Sequence, residues 1–175
     1  MTEKKLPGKY YLQAGLNLAV PAAKVWEVLA DFSVVDTWAP QVTRSYALDG
    51  QDRGLGAGRH CDIKGFGGVD ERITKWVEGR SFIYSVTPLG PLGVSHSRWT
   101  VHEIDDRSSR VVAEFGYDVR FGLFGKLLHA TMMRPKLESS FPKTLLALKR
   151  RVETGQLVRP RRSNPDQPQL SPAGA

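Results

Sequence analysis

Six consecutive segments in the middle of the chain alternate apolar and polar residues, and each has the length of a β-strand. Gly or Asp residues separate them. The segments are residues 41–50, 57–66, 69–79, 80–90, 94–105 and 109–122. Residues 10–20 form a seventh segment of the same kind. Because successive side chains of a strand point to opposite faces, the alternation predicts an antiparallel meander with one apolar face and one wet face.

Two short helices are predicted between the first strand and the other six. The stretch KVWEVLADFSVVDTWAP (residues 24–40) begins behind Pro21, which suits a first helical turn, and it ends at Pro40. Helices shorter than roughly 12 residues are not stable alone, so their apolar side chains must pack against a larger part of the protein. Those side chains are Val25, Trp26, Leu29, Phe32 and Trp38. Periodicity does not decide whether these helices pack against a solid core or against the wall of a hollow binding site.

A long helix is predicted after the last strand, from about Leu123 to Glu153. Apolar residues recur there at steps of three and four, which is the spacing of a helix with one buried face. They are Ala130, Met133, Leu137, Phe141, Leu145, Leu148 and Val152. Pro135 and Pro142 are expected to bend this helix, because each removes a backbone donor and crowds the preceding turn.

Composition favours one soluble domain. The chain has 175 residues, of which 41% are apolar and 25% charged, and it contains no apolar run long enough for a membrane span. The N-terminus has no apolar stretch typical of a secretory signal. A single cysteine, Cys61, cannot form an internal disulfide, which favours the cytoplasm. We expect a flexible N-terminus at residues 1–9, a domain at 10–154, and a disordered, basic, proline-rich tail at 155–175.

Positive charge is concentrated in the C-terminal third. From Val119 onward there are eleven Lys or Arg residues against three acidic residues, a net charge of +8, whereas the whole chain carries +7. Nucleic acid is not an expected partner, because no nucleic-acid-binding motif accompanies this charge. Two interpretations remain open, a solvated helix face and a peripheral membrane contact through the basic C-terminal third. The sequence does not indicate an oligomeric state.

Several runs of sequence together resemble one family. VPAAKVWEVLADFSVVDTWAP, GLGAGRHCDI, GGVDERITKWVEG and FIYSV resemble the polyketide cyclase/dehydrase and lipid-transfer START-like (SRPBCC) superfamily, over about Tyr11 to Glu153. The resemblance implies an α+β helix-grip fold. In this fold a curved seven-stranded antiparallel sheet, two short helices and a long C-terminal helix enclose an apolar cavity. Members bind lipids, sterols, polyketides, plant hormones or quinones, and a minority are enzymes, so the fold narrows function only to a class.

The resemblance and the strand parity together give a set of expected ligand contacts. The expected function is the binding or transport of a hydrophobic small molecule in the cavity, and the alternative is a cyclase, dehydratase or aromatase that uses the same cavity. The loop PLGPLGV, residues 88–94, is similar to the Leu-Pro gate of ligand-binding relatives, or it is an ordinary rigid turn. The expected ligand-binding residues are Trp38, Arg59, Cys61, Ile63, Glu71, Ile73, Phe82, Tyr84, Leu89, Leu92, Trp99, Phe115, Tyr117, Met133 and Leu137.

Arg59 and Glu71 are the candidate ionisable pair of the cavity. They share strand parity with the inward residues Cys61 and Ile73 on neighbouring strands, so their side chains are expected to meet. Two interpretations stay open: a proton-transfer pair and a structural ion pair. Cys61 is interpreted as a buried structural thiol.

Histidines and tyrosines add little catalytic potential. No metal or cofactor is expected, because His60, His96 and His102 fall on the wet parity and His129 has no partner at a metal-ligand spacing. The hydroxyls of Tyr84 and Tyr117 are candidates for orienting a ligand.

Overall fold

The computed structural model describes residues 5–160, and its sheet confirms the predicted seven-stranded antiparallel arrangement. From β2 to β7 each strand pairs with the next along the chain, and β1 pairs with β7, which gives the order β1-β7-β6-β5-β4-β3-β2. The strands are β1 Tyr10–Leu18, β2 Val42–Leu48, β3 Gly58–Ile63, β4 Gly67–Val77, β5 Ser81–Val86, β6 Leu92–Asp105 and β7 Ser108–Val119.

The two predicted short helices lie between β1 and β2. Helix α1, Ala22–Ala30, begins directly after Pro21, and a 3-10 helix, Phe32–Thr37, which has a kink at Val34, follows it. Trp26 and Phe32 are nearly inaccessible to solvent and pack edge-on against Phe82 of β5. These contacts supply the burial that such short helices need.

The long C-terminal helix is continuous from Gly122 to Thr154 but changes its winding. It comprises α2 Gly122–Leu128, a π-helical turn His129–Met133, and α3 Arg134–Thr154. The π turn ends two residues before Pro135, which has no N–H to donate to the preceding turn. Because the wider turn shifts the helical phase, His129 is buried and Ala130 is exposed, so the assignment of Ala130 to the apolar stripe is wrong. Pro142 lies inside α3.

The inner face of the sheet packs against these helices and forms two buried clusters. The larger one joins the aromatic residues of β5 and β6 to α1, the 3-10 helix and the C-terminal half of α3. The smaller one, around Leu92, Tyr117 and Met133, joins β6, β7 and the π turn. Within residues 5–160, no helix is both long and apolar enough to cross a membrane.

Contacts at both ends add residues to the expected domain of 10–154. Leu6 is buried, and the amide of Lys9 donates to the Asp118 carboxylate at 2.9 Å. At the other end, the Val158 amide donates to the Thr37 carbonyl at 2.8 Å. The Arg159 guanidinium donates to the carbonyls of Asp36, Pro40 and Val42. The expected flexibility of residues 1–4 and the expected disorder of 161–175 lie outside the described residues and stay predictions.

Candidate functional site

A cavity of about 130 Å³ lies inside the sheet, between its concave face and the helices. Strands β2 to β6 form one wall, α1 and the 3-10 helix form the second, and α3 closes the space through Thr144. A cavity of roughly 150 Å³ holds one benzene molecule in another protein, so this space suits a single aromatic ring. The lining residues are Leu29, Val35, Trp38, Gln41, Val42, Arg59, Cys61, Ile63, Glu71, Phe82, Tyr84, Trp99 and Thr144.

Eight of the expected ligand-binding residues line this cavity: Trp38, Arg59, Cys61, Ile63, Glu71, Phe82, Tyr84 and Trp99. The other seven do not. Ile73 and Leu89 belong to the larger packed cluster, while Leu92, Phe115, Tyr117, Met133 and Leu137 pack together in the smaller one. Strand parity identifies side chains that point inward, but it does not show which part of the interior those side chains fill.

Five lining residues are absent from the sequence-based set: Leu29, Val35, Gln41, Val42 and Thr144. Thr144 follows Phe141 by three residues, so the helical stripe that predicts Phe141 also indicates Thr144. Gln41 has no comparable signal. Its amide donates to the Thr144 hydroxyl at 2.5 Å, a contact between residues 103 positions apart.

Arg59 and Glu71 meet in the wall of the cavity, as their parity predicts. They are cross-strand partners on β3 and β4, and Arg59 Nε lies 2.5 Å from Glu71 Oε2. The Arg59 guanidinium also donates to the Phe32 carbonyl at 2.6 Å and stacks 3.8 Å from the centre of the Phe32 ring. Burial by itself lowers the pKa of Arg59, but attraction to Glu71, together with smaller contributions from Cys61 and Tyr84, outweighs burial, so the pKa is raised and the guanidinium stays charged.

Two further groups of the cavity stay protonated. Burial raises the pKa of the Cys61 thiol, and the Glu71 carboxylate 3.9 Å away adds to the increase. Burial, reinforced by the charge of Glu71, raises the pKa of Tyr84 to about 12. A neutral thiol is a poor nucleophile, so the interpretation of Cys61 as a structural residue agrees with its environment.

Trp38 separates this cavity from a groove on the surface. Its indole Nε1 is buried and has no hydrogen-bond acceptor among residues 5–160. The same ring lines the cavity and a groove of about 590 Å³ between the 3-10 helix, α3 and the end of the described chain. The other groove residues are Pro40, Leu146, Ala147, Arg150, Gln156, Leu157 and Val158. A buried unpaired donor costs free energy, so Trp38 offers a hydrogen bond that a ligand can complete.

The loop at residues 88–94 is tightly hydrogen-bonded. Leu89 and Leu92 exchange backbone hydrogen bonds of 3.1 and 3.0 Å, and the Arg120 amide donates to the Pro91 carbonyl at 2.7 Å. Neither leucine lines the cavity. A gating role for this loop stays a prediction.

Two histidines have partners that sequence patterns do not show. His60 lies 2.6 Å from the Asp70 carboxylate, and that hydrogen bond raises its pKa. Nε2 of His129 and the hydroxyl of Tyr117 are hydrogen-bonded at 2.9 Å, and burial lowers the pKa of His129. Because the Tyr117 hydroxyl is engaged away from the cavity, it is not placed to orient a ligand there. Residues 5–160 contain no group of three or more His, Cys, Asp or Glu side chains arranged to hold a metal ion.

Comparison with known proteins identifies the family. Residues 16–153 match the family described as polyketide cyclase / dehydrase and lipid transport. The chain belongs to this family. None of the curated proteins matches the sequence.

Solved structures show the same fold. A solution structure from Thermobifida fusca is 25% identical and matches 81% of this chain and 92% of its own, with a TM-score of 0.65. A START superfamily protein from Mycobacterium smegmatis is 16% identical, covers 82% and 97% of the two chains, and has a TM-score of 0.64. The aromatase/cyclase Zhui from Streptomyces sp. R1128 is 18% identical, covers 83% and 97%, and also has a TM-score of 0.64.

Proposed function

We propose that this protein binds and carries a hydrophobic small molecule whose ring-sized apolar part occupies the cavity and whose polar group meets the donors in its wall. The observation that carries this proposal is an aromatic-lined space of about 130 Å³, one of whose lining residues, Trp38, has a buried indole N–H without an acceptor. Ligand sites typically combine apolar walls with a few convergent polar groups. The single cysteine favours a cytoplasmic location for this carriage.

Cavity size sets the class of ligand. Pockets for drug-sized molecules are typically about 300–1,000 Å³, so a lipid, quinone or polyketide chain does not fit entirely within this space. The groove beyond Trp38 supplies the additional volume. The proposal therefore assigns the ring or head of the ligand to the cavity and any longer chain to the groove, with Trp38 displaced between them.

The test uses phenol and toluene, which have similar sizes and differ in polarity. Trp38 and Trp99 line the cavity, so binding is followed by the change in tryptophan fluorescence. We expect phenol to bind about tenfold more tightly than toluene, because one extra hydrogen bond contributes about 1 kcal/mol or slightly more. Cys61→Leu, which adds volume to the cavity wall, should abolish both signals while the thermal transition remains cooperative. If Cys61→Leu binds phenol and toluene as tightly as wild type does, the two probes bind outside the cavity.

Catalysis of the cyclase, dehydratase or aromatase kind is the second candidate, and the Arg59–Glu71 pair in the cavity wall favours it. We rank carriage first because Glu71 is engaged by Arg59, while the pKa values of Cys61 and Tyr84 are raised. Native mass spectrometry of protein purified from its own host separates the two functions. A co-purifying lipid or quinone supports carriage. An empty cavity, together with turnover of a poly-β-ketone mimic that is lost in Glu71→Gln, supports catalysis.

A further inference from the structure

The start of the C-terminal helix exposes an unusual amount of apolar surface. Single exposed apolar residues are ordinary, but a contiguous set indicates an interaction surface. On α2, three apolar residues at positions i, i+1 and i+4 lie on one side of the helix. We call the set of five exposed apolar residues in this region the α2 patch: Phe121 (61% exposed), Leu123 (84%), Phe124 (71%), Leu127 (62%) and Met132 (42%).

The backbone at the start of the α2 patch is constrained by its surroundings. Phe121 has a φ of +67°, a left-handed conformation that a bulky residue adopts only when the surrounding structure imposes it. A side chain at Gly125 would collide with the Arg120 carbonyl, so the first turn of α2 folds back closely on the end of β7. Arg120 is itself fixed, because its guanidinium donates to the Gly90 carbonyl at 2.8 Å. Phe121 therefore has an unfavourable backbone conformation although its aromatic side chain remains mostly in solvent.

Basic side chains surround the α2 patch. Residues 119–138 contain four exposed basic residues, Arg120, Lys126, Arg134 and Lys136, and one acidic residue, Glu138, which pairs with Arg134. Protein–protein interfaces are depleted in lysine. A combination of Phe, Leu and Met with Lys and Arg is instead typical of segments that lie in the interface of an anionic bilayer.

We propose that the α2 patch docks this protein peripherally onto a bilayer that contains anionic lipid. Phe121, Leu123, Phe124 and Leu127 enter the boundary between headgroups and acyl chains, and the surrounding cations contact the lipid headgroups. This narrows the expected membrane contact of the basic C-terminal third to residues 120–136. Arg150 lies roughly 35 Å beyond Leu127 along the helix, at 1.5 Å per residue, which is too far for both residues to contact the same patch of membrane. Docking does not depend on which molecule occupies the cavity.

The test is co-sedimentation of the full chain with vesicles of phosphatidylcholine alone or with roughly a third phosphatidylserine. Wild type should bind the anionic vesicles and release as salt rises, since screening weakens surface electrostatics. The triple variant Leu123→Ser/Phe124→Ser/Leu127→Ser should bind at least tenfold more weakly. Its thermal midpoint should be nearly unchanged, because these side chains are exposed.

A matched control removes exposed apolar side chains elsewhere. Leu55 and Ile104 are comparably exposed, and Ile104 lies at the far end of β6 from the 88–94 loop that contacts Arg120. Leu55→Ser/Ile104→Ser should bind vesicles as wild type does. Should the triple variant fail to fold, Lys126→Glu/Lys136→Glu supplies the second test, with an expected loss of at least fivefold on anionic vesicles only.

Three outcomes overturn membrane docking. The first is no binding of wild type to anionic vesicles. The second is equal binding of wild type and the folded triple variant, or, if that variant does not fold, equal binding of wild type and the charge variant. The third is a lipid-free dimer that the triple variant dissociates, with no vesicle binding, which would assign the α2 patch to a second copy of this chain.

Discussion

Each face of the sheet holds an arginine directly opposite a glutamate on the neighbouring strand. The inner pair, Arg59–Glu71, joins β3 and β4, and the outer pair, Arg98–Glu114, joins β6 and β7. The closest nitrogen–oxygen distances are 2.5 and 3.1 Å, and no side chain of the four is more than 12% exposed. Register, charge and burial are therefore nearly the same, so none of these properties distinguishes a functional pair from a structural one.

The two pairs differ in what surrounds them. The Arg59–Glu71 pair forms part of the wall of a cavity that Trp38, whose indole N–H is unpaired, also lines. Glu114 instead accepts a hydrogen bond from the hydroxyl of Tyr11 on the next strand. A buried ion pair acquires a role in binding when it borders space that a ligand can enter. The same pair within a closed hydrogen-bond network contributes to the fold.

The largest expected effect comes from breaking either pair. Glu71→Gln and Glu114→Gln should each lower the free energy of unfolding by about 3–5 kcal/mol, because each leaves a buried guanidinium without its counter-charge. Urea denaturation measures the loss. Glu138→Gln, which breaks the exposed Arg134–Glu138 pair, is the control and should cost no more than about 0.5 kcal/mol. A loss below about 1 kcal/mol for Glu71→Gln would mean that water reaches the Arg59 guanidinium.

Double-mutant cycles should separate the two pairs by function. In each pair, Arg→Met combined with Glu→Gln should show a coupling energy of about 0.5–3 kcal/mol, since the double variant retains no unpaired charge. Only the inner double variant, Arg59→Met/Glu71→Gln, should weaken phenol binding, by about tenfold. The outer double variant, Arg98→Met/Glu114→Gln, should bind phenol as wild type does. Equal effects on phenol binding would contradict the assignment of the cavity as the binding site.

Tyr11→Phe and Trp38→Phe should have smaller effects on stability than breaking an ion pair. The first should change stability but not phenol binding, and the second should change phenol binding but hardly stability. Tyr11→Phe deletes the hydrogen bond to Glu114 and should cost about 1–2 kcal/mol of stability without changing phenol binding. Trp38→Phe removes an unpaired buried donor, and this stabilising effect offsets the poorer packing of the smaller phenylalanine ring. Its stability should therefore change by about 1 kcal/mol or less. Phenol binding to Trp38→Phe should nevertheless fall, and unchanged phenol binding would exclude the indole N–H as the ligand's donor.

The last expected effect appears only at alkaline pH, where stability should fall. Burial raises the pKa of both Tyr84 and Tyr11 to about 12, with Glu71 and Glu114 respectively adding to the increase. A raised pKa means that the fold favours the protonated phenol. The contribution of each raised pKa to the free energy of unfolding is fully present below about pH 10, the ordinary tyrosine pKa. That contribution is lost as pH rises through about 12.

Urea midpoints measured across that range provide the check. Tyr84→Phe and Tyr11→Phe should each flatten the decline in midpoint, whereas Tyr46→Phe, at an exposed ring, should leave it unchanged. A decline in Tyr84→Phe as steep as that of wild type would show that the Tyr84 phenol is not protected by burial.

Local patterns are sufficient for most of the secondary structure. Alternation of apolar and polar residues predicts all seven strands, because the two-residue period of a strand is a local property. The same period puts Arg59 and Glu71 on the inner face. The helical spacing of three and four residues fails within the late helix, where the π turn before Pro135 exposes Ala130 and buries His129. A change of helical phase depends on how the turn packs against β7, and no repeat in the sequence reports that packing.

The extent of the cavity is not predictable from parity. Tyr117 and Met133 point inward as expected but pack together in the smaller cluster, because His129 and Tyr10 surround Tyr117. Conversely, Gln41 and Thr144 border the cavity through a hydrogen bond between distant parts of the chain. Whether inward side chains fill the interior or leave space depends on their combined volumes in three dimensions.

The sequence by itself determined the order of the strands and helices, the apolar face of each strand, the family and the position of the inner ion pair. These features follow from periodicities and motifs within short segments. Only the tertiary structure decided where the interior remains empty, that Trp38 lies between the cavity and the surface groove, and that the α2 patch faces solvent. Each of those depends on contacts between residues far apart in the chain, and the hydrophobic effect that drives such burial has no direction of its own. The close-packed fold therefore selects which apolar residues become core, cavity wall or exposed surface.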